Sequence, residues 1–341
     1  MTIPLIGLVF SAAAALATAV FVDLGGARAG LLPPAFAVSI GRRAMGTLLL
    51  SFLFAAMFFS IFHAVYEIEV NGTPQDVELH LGQLVFGQAF LLILLGGWYV
   101  LGYAGVRAPV PPETLREFDV LDPPDAGLEP LPDAAELEGP PEIAASLEDR
   151  EALDRAPAVP PPIPIRTQIL RRLGLECEDV WGEIRFGVMA GFGAWLFVLL
   201  ATAALAAIFY SLGLGDVFQL EQPPAGQILW MASQPVAARL LISLMAGVSE
   251  ELFFRGFLQP RIGMVFSTFL FAISHASYGQ PMLLVSVTIL SLIYAELYRR
   301  RGNVWAAMTA HTLFDAIQLL LVIPAVLKAQ ETVLGGLGGI L

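Results

Sequence analysis

The run "IPLIGLVFSAAAALATAVFV", residues 3–22, holds twenty consecutive positions without a charge. Hydrocarbon offers no water to the backbone, so a run of this kind must satisfy its N–H and C=O groups internally, as a helix. About 20 apolar residues cross a bilayer core. Residues 44–65, 81–103, 186–214, about 236–258, 263–275, 281–298 and 304–327 are the further candidates. The expected fold is therefore all-α: a polytopic membrane protein of about eight transmembrane helices. The composition agrees, with 57% hydrophobic and 14% charged residues and a mean hydropathy of +0.73, against about a quarter charged in soluble domains. The first run has no basic segment before it and is long, which favours a retained span over a removed secretory signal.

The formal net charge of −12 is mostly local. Residues 104–165 carry fourteen acidic side chains and four arginines, and fourteen of the 24 prolines. Proline fixes φ and lacks a backbone donor, and the unbalanced charge resists collapse, so this stretch reads as a disordered cytoplasmic linker. The remainder is nearly neutral and offers no basic face for nucleic acid. Arg28, Arg42 and Arg43, then Arg107, Arg166, Arg171, Arg172 and Arg185, then Arg299–Arg301 fall on one side if the N-terminus is outside. Acidic Glu67, Glu69, Asp76, Glu78, Asp216 and Glu221 fall on the other. The positive-inside rule then predicts a multi-pass protein of the cytoplasmic membrane with both termini external. The implied organisation is an accessory unit of three spans (1–103), the linker (104–165), an amphipathic juxtamembrane helix lying on anionic lipid (166–184), a core (185–328) and a Gly-rich tail (329–341). Cys177, the single cysteine, cannot form an intrachain disulfide and reads as a structural thiol.

Three polar insertions interrupt the apolar second half. The first is "GVSEELFFRGFL", with Glu250, Glu251 and Arg255. Glu251 and Arg255 stand four apart and share a helical face, so they can pair and lower a cost of roughly 2.5–3.5 kcal/mol per charge at mid-membrane. That leaves Glu250 free for chemistry. The second insertion is His275 in "FLFAISHAS", and the third is "HTLFD", where His311 and Asp315 again share a face. His63 and His80 lie in the first half of the chain, away from these three insertions. Ionisable groups within spans face a bundle interior or a wet cavity, so the three insertions are expected to converge. Straight, upright helices would still leave Glu250 on the order of ten Å nearer the cytoplasm than His275.

Two chemistries fit such a set. Glu250 can activate a water with His275 sharing the proton, while His311 and Asp315 serve the oxyanion. Alternatively Glu250, His275 and His311 hold Zn2+ or another divalent metal carrying an acidified water. Sequence spacing leaves both open.

The motifs Glu250-Glu251-x-x-x-Arg255, Phe271-x-x-x-His275 and His311-x-x-x-Asp315 resemble, in order, the signature of the CPBP (Abi) family of intramembrane proteases. That family includes type II CAAX prenyl endopeptidases and bacteriocin-processing or self-immunity proteins. The resemblance spans about residues 185–328. It implies an intramembrane (metallo)endopeptidase in which Glu250 and His275 activate water and His311 with Asp315 assists the oxyanion, acting on a membrane-associated protein or peptide among membrane lipids. Asp315 stands where CAAX endopeptidases often carry Asn, and a carboxylate donates no hydrogen bond unless protonated. A metal-free glutamate mechanism has also been argued for the family. Two other classes compete: a non-catalytic membrane adaptor or immunity protein of the same fold, and a transporter. The transporter reading expects broken spans repeated in two halves, and no such symmetry is present.

Overall fold

The uncharged run that opens the chain winds into a single helix, α1 (Thr2–Arg28), in a computed structural model that describes residues 2–71, 80–105, 164–220 and 226–329. A short turn of helix, α2 (Pro34–Val38), leads to α3 (Ile40–Asn71), which packs along α1. α4 (Leu81–Tyr103) lies against α3. The Pro-rich acidic stretch at 106–163, the positions Asp76, Glu78 and Glu221, and the tail from residue 330 lie outside the described residues.

After residue 163, α5 (Ile165–Arg172) is followed by α6 (Val180–Ser211), started by Asp179, whose carboxylate accepts the Gly182 N–H at 2.8 Å. α7 (Gly226–Ser233) precedes α8 (Val236–Glu251), which continues without interruption through a π-helical segment, Leu252–Leu258, into α9 (Gln259–Ser274). A 3-10 turn at Ala276–Tyr278 leads to α10 (Pro281–Arg301) and α11 (Trp305–Ile317), and a second π segment, Gln318–Val322, extends α11.

Six helices are long and apolar enough to cross a membrane among the described residues: Leu5–Arg28, Ile40–His63, Leu81–Tyr103, Val180–Ser211, Pro281–Arg301 and Trp305–Ala329. Their outer faces are greasy. Phe192, Leu196, Phe197 and Leu200 of α6 are all more than half exposed, an arrangement that suits lipid rather than water. Among the described residues the eight expected spans are therefore replaced by six helices both long and apolar enough to cross, plus one hairpin. Residues 236–262 and 264–274 are the two limbs of that hairpin, and the break between them is Gly263, at φ 80° and ψ 167°. This backbone region is essentially restricted to glycine. Gly263→Val is expected to cost about 1–3 kcal/mol, read as a lowered midpoint in thermal unfolding of the solubilised protein. An unchanged midpoint would show that the reversal does not depend on glycine.

The limbs run antiparallel in a definite register. Ser267 Oγ donates to Phe254 O at 2.7 Å, the Phe254 and Phe271 rings meet edge-on at 4.9 Å, and the Arg255 guanidinium lies 4.4 Å over the Phe271 ring. Each of these pairs straddles residues 260–263 almost symmetrically. Glu250 and His275 are likewise nearly equidistant from the turn, so the depth mismatch expected of two upright spans does not arise.

The hairpin is held from both sides. On one side, Phe253, Phe254, Phe257, Leu258, Ile262 and Phe271 share a core with Ala15, Ala19, Val22, Phe54, Leu95 and Trp98 of α1, α3 and α4. On the other, Gln259 Nε2 donates to Ala295 O (2.9 Å) and Arg255 Nη2 to Ser291 O (3.1 Å) of α10. Helix α5 belongs to this assembly, because Ile169 and Leu173 pack on the same core and Gly174 O accepts the Val304 N–H at 2.9 Å. The arginine clusters gather at the end where these loops meet. Arg43 bonds Asp23, Arg42 bonds Ala104 O, and Arg301 Nε donates to Glu183 at 2.9 Å.

Candidate active site

Glu250 and Glu251 end α8 at the hairpin's interior and face in different directions, as neighbours on a helix must. Glu251 points into the packed protein. Its side chain is 0% exposed, with Oε2 lying 3.1 Å from Arg255 Nε as an ion pair one helical turn apart and Oε1 lying 2.8 Å from His311 Nδ1. The Arg255 side chain, 1% exposed, donates to Ser291 Oγ at 3.0 Å as well as to its carbonyl. Two buried charges are tolerable only when each is paired and hydrogen-bonded in this way.

Glu250 points the other way, into a cavity of about 740 Å3 that it lines together with Gln88, His275, Tyr278, His311 and Asp315. Its Oε1 accepts the Gln88 Nε2 amide at 3.1 Å. Its Oε2 is buried, lacks a hydrogen-bond partner among the described residues and lies 3.8 Å from His275 Nε2. Buried polar atoms are normally satisfied, so an orphaned carboxylate oxygen facing an imidazole across an open cavity marks a place where a further atom belongs.

His275 terminates α9, and its Nδ1 lies 2.8 Å from Phe271 O. A carbonyl only accepts, so this contact places the proton on Nδ1 and leaves Nε2 turned toward Glu250. The ring is steadied between Phe271 (4.8 Å between centroids) and Tyr278 (5.9 Å). His311 stacks on Tyr294 at 5.0 Å and 24°, and its Nε2 lies 3.5 Å from Asp315 Oδ2. His311 thus stands between two carboxylates, one on each nitrogen. The crossing that carries it is tight, because a Cβ on Gly247 of α8 would meet Thr312 Oγ1 and come within 2.7 Å of Thr312 N. A glycine is what lets α11 approach closely enough for His311 to reach Glu251.

All six residues singled out by spacing therefore lie in one region, where they divide into two groups. Glu251 and Arg255 are packed away from the cavity, whereas Glu250, His275, His311 and Asp315 line it. No group of three or more His, Cys, Asp or Glu side chains is placed to hold a metal ion among the described residues. His311 Nδ1 is engaged by Glu251 and His275 Nδ1 by a carbonyl, which leaves the two Nε2 atoms facing Asp315 and Glu250. Sequence reasoning missed Gln88, Ser249, Ser291 and Tyr294. The one signal for Gln88 was an amide seven residues into an apolar span, beyond the capping Gln83.

Comparison with known proteins points to the same segment. Residues 232–317 match the family model for type II CAAX prenyl endopeptidase Rce1-like proteins. All six residues fall within that match, which is narrower than the 185–328 implied by the motifs. The protein YpbD of Bacillus subtilis (strain 168), described as uncharacterized, is 34% identical over 79 residues, which cover 23% of this chain and 42% of YpbD. The chain thus spans less than half the length of this relative. No solved structure matches.

Proposed function

We propose that the protein is an intramembrane endopeptidase that hydrolyses a peptide bond in a membrane-associated protein or peptide. The observation that carries this reading is the pairing of an orphaned Glu250 Oε2 with His275 Nε2 at 3.8 Å on the wall of a largely apolar cavity. A water seated against both atoms at ordinary hydrogen-bond distances of about 2.8 Å sits at the apex of a shallow triangle, held by an acceptor on each side.

Glu250 takes a proton from that water as its oxygen adds to the scissile carbonyl carbon. Collapse of the tetrahedral adduct breaks the C–N bond, and the proton on Glu250 passes to the departing nitrogen. His275 holds the water in line and shares the proton. His311 can donate Nε2–H to the developing oxyanion, since the Glu251 carboxylate beside Nδ1 balances the positive charge. Asp315, as a carboxylate, accepts rather than donates; its Oδ2, 3.5 Å from His311 Nε2, acts by charge and leaves that N–H to the oxyanion. The low-dielectric walls strengthen each of these interactions. The arginine-rich end is placed at the cytoplasm by the positive-inside rule.

The test is cleavage of a peptide library by the purified, lipid-reconstituted chain, with His275→Ala alongside. Loss of about 10²–10⁴-fold in turnover is expected on removing one partner of the water-activating pair. Equal turnover by both proteins would remove the water-activating pair, and no cleavage by either would favour a non-catalytic adaptor. A chelator arm with metal add-back reports on the divalent-metal variant of the chemistry, because a rate that falls and returns with added metal would assign it.

A further inference from the structure

Gln88 reaches the cavity from α4, far outside the matched residues 232–317. Its amide makes two contacts, both with the dipeptide Ser249–Glu250: Nε2 donates to Glu250 Oε1 at 3.1 Å, and Oε1 lies against the Ser249 hydroxyl, whose single proton is shared with Met245 O at 2.7 Å. Ser249 is 0% exposed. A glutamine is one of the few side chains that can donate and accept at once from a single planar group, and an amide in an apolar helix is costly unless both functions are used. Leu84, one turn earlier on α4, lines the same cavity. Helix α4 is therefore a wall of the candidate site as well as packing for the hairpin.

The consequence concerns Glu250, which has three rotatable side-chain bonds and whose Oε2 is orphaned. Held by Oε1, the carboxylate is fixed in the one rotation that presents Oε2 to His275. We infer that Gln88 is a positioning residue: it clamps Glu250 through one oxygen so that the other faces His275, which makes α4 part of the hydrolytic apparatus. This inference rests on the peptidase reading of the same site.

The experiment compares kcat and KM for the full reconstituted chain as wild type, Gln88→Met, Gln88→Glu, Ser249→Ala, Glu250→Ala, Glu250→Asp and the double variant Gln88→Met/Glu250→Asp. Methionine keeps the length of glutamine but neither hydrogen bond, and glutamate keeps the shape but replaces the donor by an acceptor. Misplacement of a reacting group by about 1 Å can cost 10²-fold. Gln88→Met and Gln88→Glu are therefore expected to lower kcat by roughly 10- to 100-fold, with KM within about threefold of wild type. Aspartate at position 250 withdraws the carboxylate by one methylene from the amide. In that background Gln88→Met is expected to change kcat by less than about threefold.

Wild-type kcat in Gln88→Met overturns the inference, and so does an equal loss in both backgrounds, which marks a purely structural role. If Gln88→Met fails to fold, Ser249→Ala decides, because it deletes only the hydroxyl that orients the amide. An expected loss of about 3- to 10-fold supports the clamp, and an unchanged kcat overturns it. Wild type and Glu250→Ala cleaving equally, or neither cleaving at all, removes the peptidase reading and this inference with it. An inactive Glu250→Ala beside a fully active Gln88→Met removes this inference alone.

Discussion

Glu250→Gln is expected to lower the turnover of a cleavable peptide by about 10²–10⁴-fold while leaving KM within about threefold. Glutamine matches glutamate in size and still reaches the Gln88 amide, so packing around α8 is preserved. What is lost is the ability to take a proton from water. The same variant is expected to unfold at or above the wild-type temperature. The wild-type carboxylate keeps one oxygen, Oε2, buried without a hydrogen bond, an arrangement that costs folding free energy and that proteins retain chiefly where function requires it. Lower activity together with equal or greater stability separates a functional carboxylate from a structural one. Retention of turnover within threefold would refute the assignment of Glu250 as the base.

Arg255→Leu is expected to act in the opposite sense, on folding first. Arg255 and Glu251 are 1% and 0% exposed, so removing the cation strands a buried carboxylate at a cost of about 3–5 kcal/mol. The measured consequence is a fall in thermal midpoint and in the yield of monodisperse protein. Adding Glu251→Gln should recover on the order of 2 kcal/mol, because no uncompensated charge then remains. It should not restore turnover, because His311 Nδ1 would still lack the carboxylate that lies 2.8 Å from it in the wild type. Arg255→Lys keeps the charge but loses the planar stack over Phe271 and the forked contact with Ser291, so it falls between the two. Equal midpoints for wild type and Arg255→Leu would show that the buried pair contributes nothing to stability.

The residues that gather at the cavity could be picked out by a single test, polar side chains where hydropathy forbids them. Within one helix, four-residue spacing correctly paired Glu251 with Arg255 and His311 with Asp315. It could not see the contact between Glu251 and His311, which are sixty positions apart and meet only because Gly247 admits α11 so closely. Hydropathy counted two spans where one hairpin exists, because averaging over a window does not register a single residue in a glycine-only conformation. Gln88 escaped for a related reason. One amide in an apolar helix has no companion at helical spacing, and its partners lie more than 160 positions away. The long apolar helices needed no tertiary information, since backbone hydrogen bonding in lipid allows them one conformation.

The second limb of the hairpin, 264–274, is about 16 Å long at 1.5 Å per residue, roughly half of a ~30 Å hydrocarbon layer. It ends at His275, and the peptide groups of the turn that follows lie well inside the slab that lipid tails would occupy. Such groups persist at that depth only against protein or in contact with solvent. A shortened rod at this point therefore ends with its imidazole between the rings of Phe271 and Tyr278 and on the wall of the cavity that Glu250 lines.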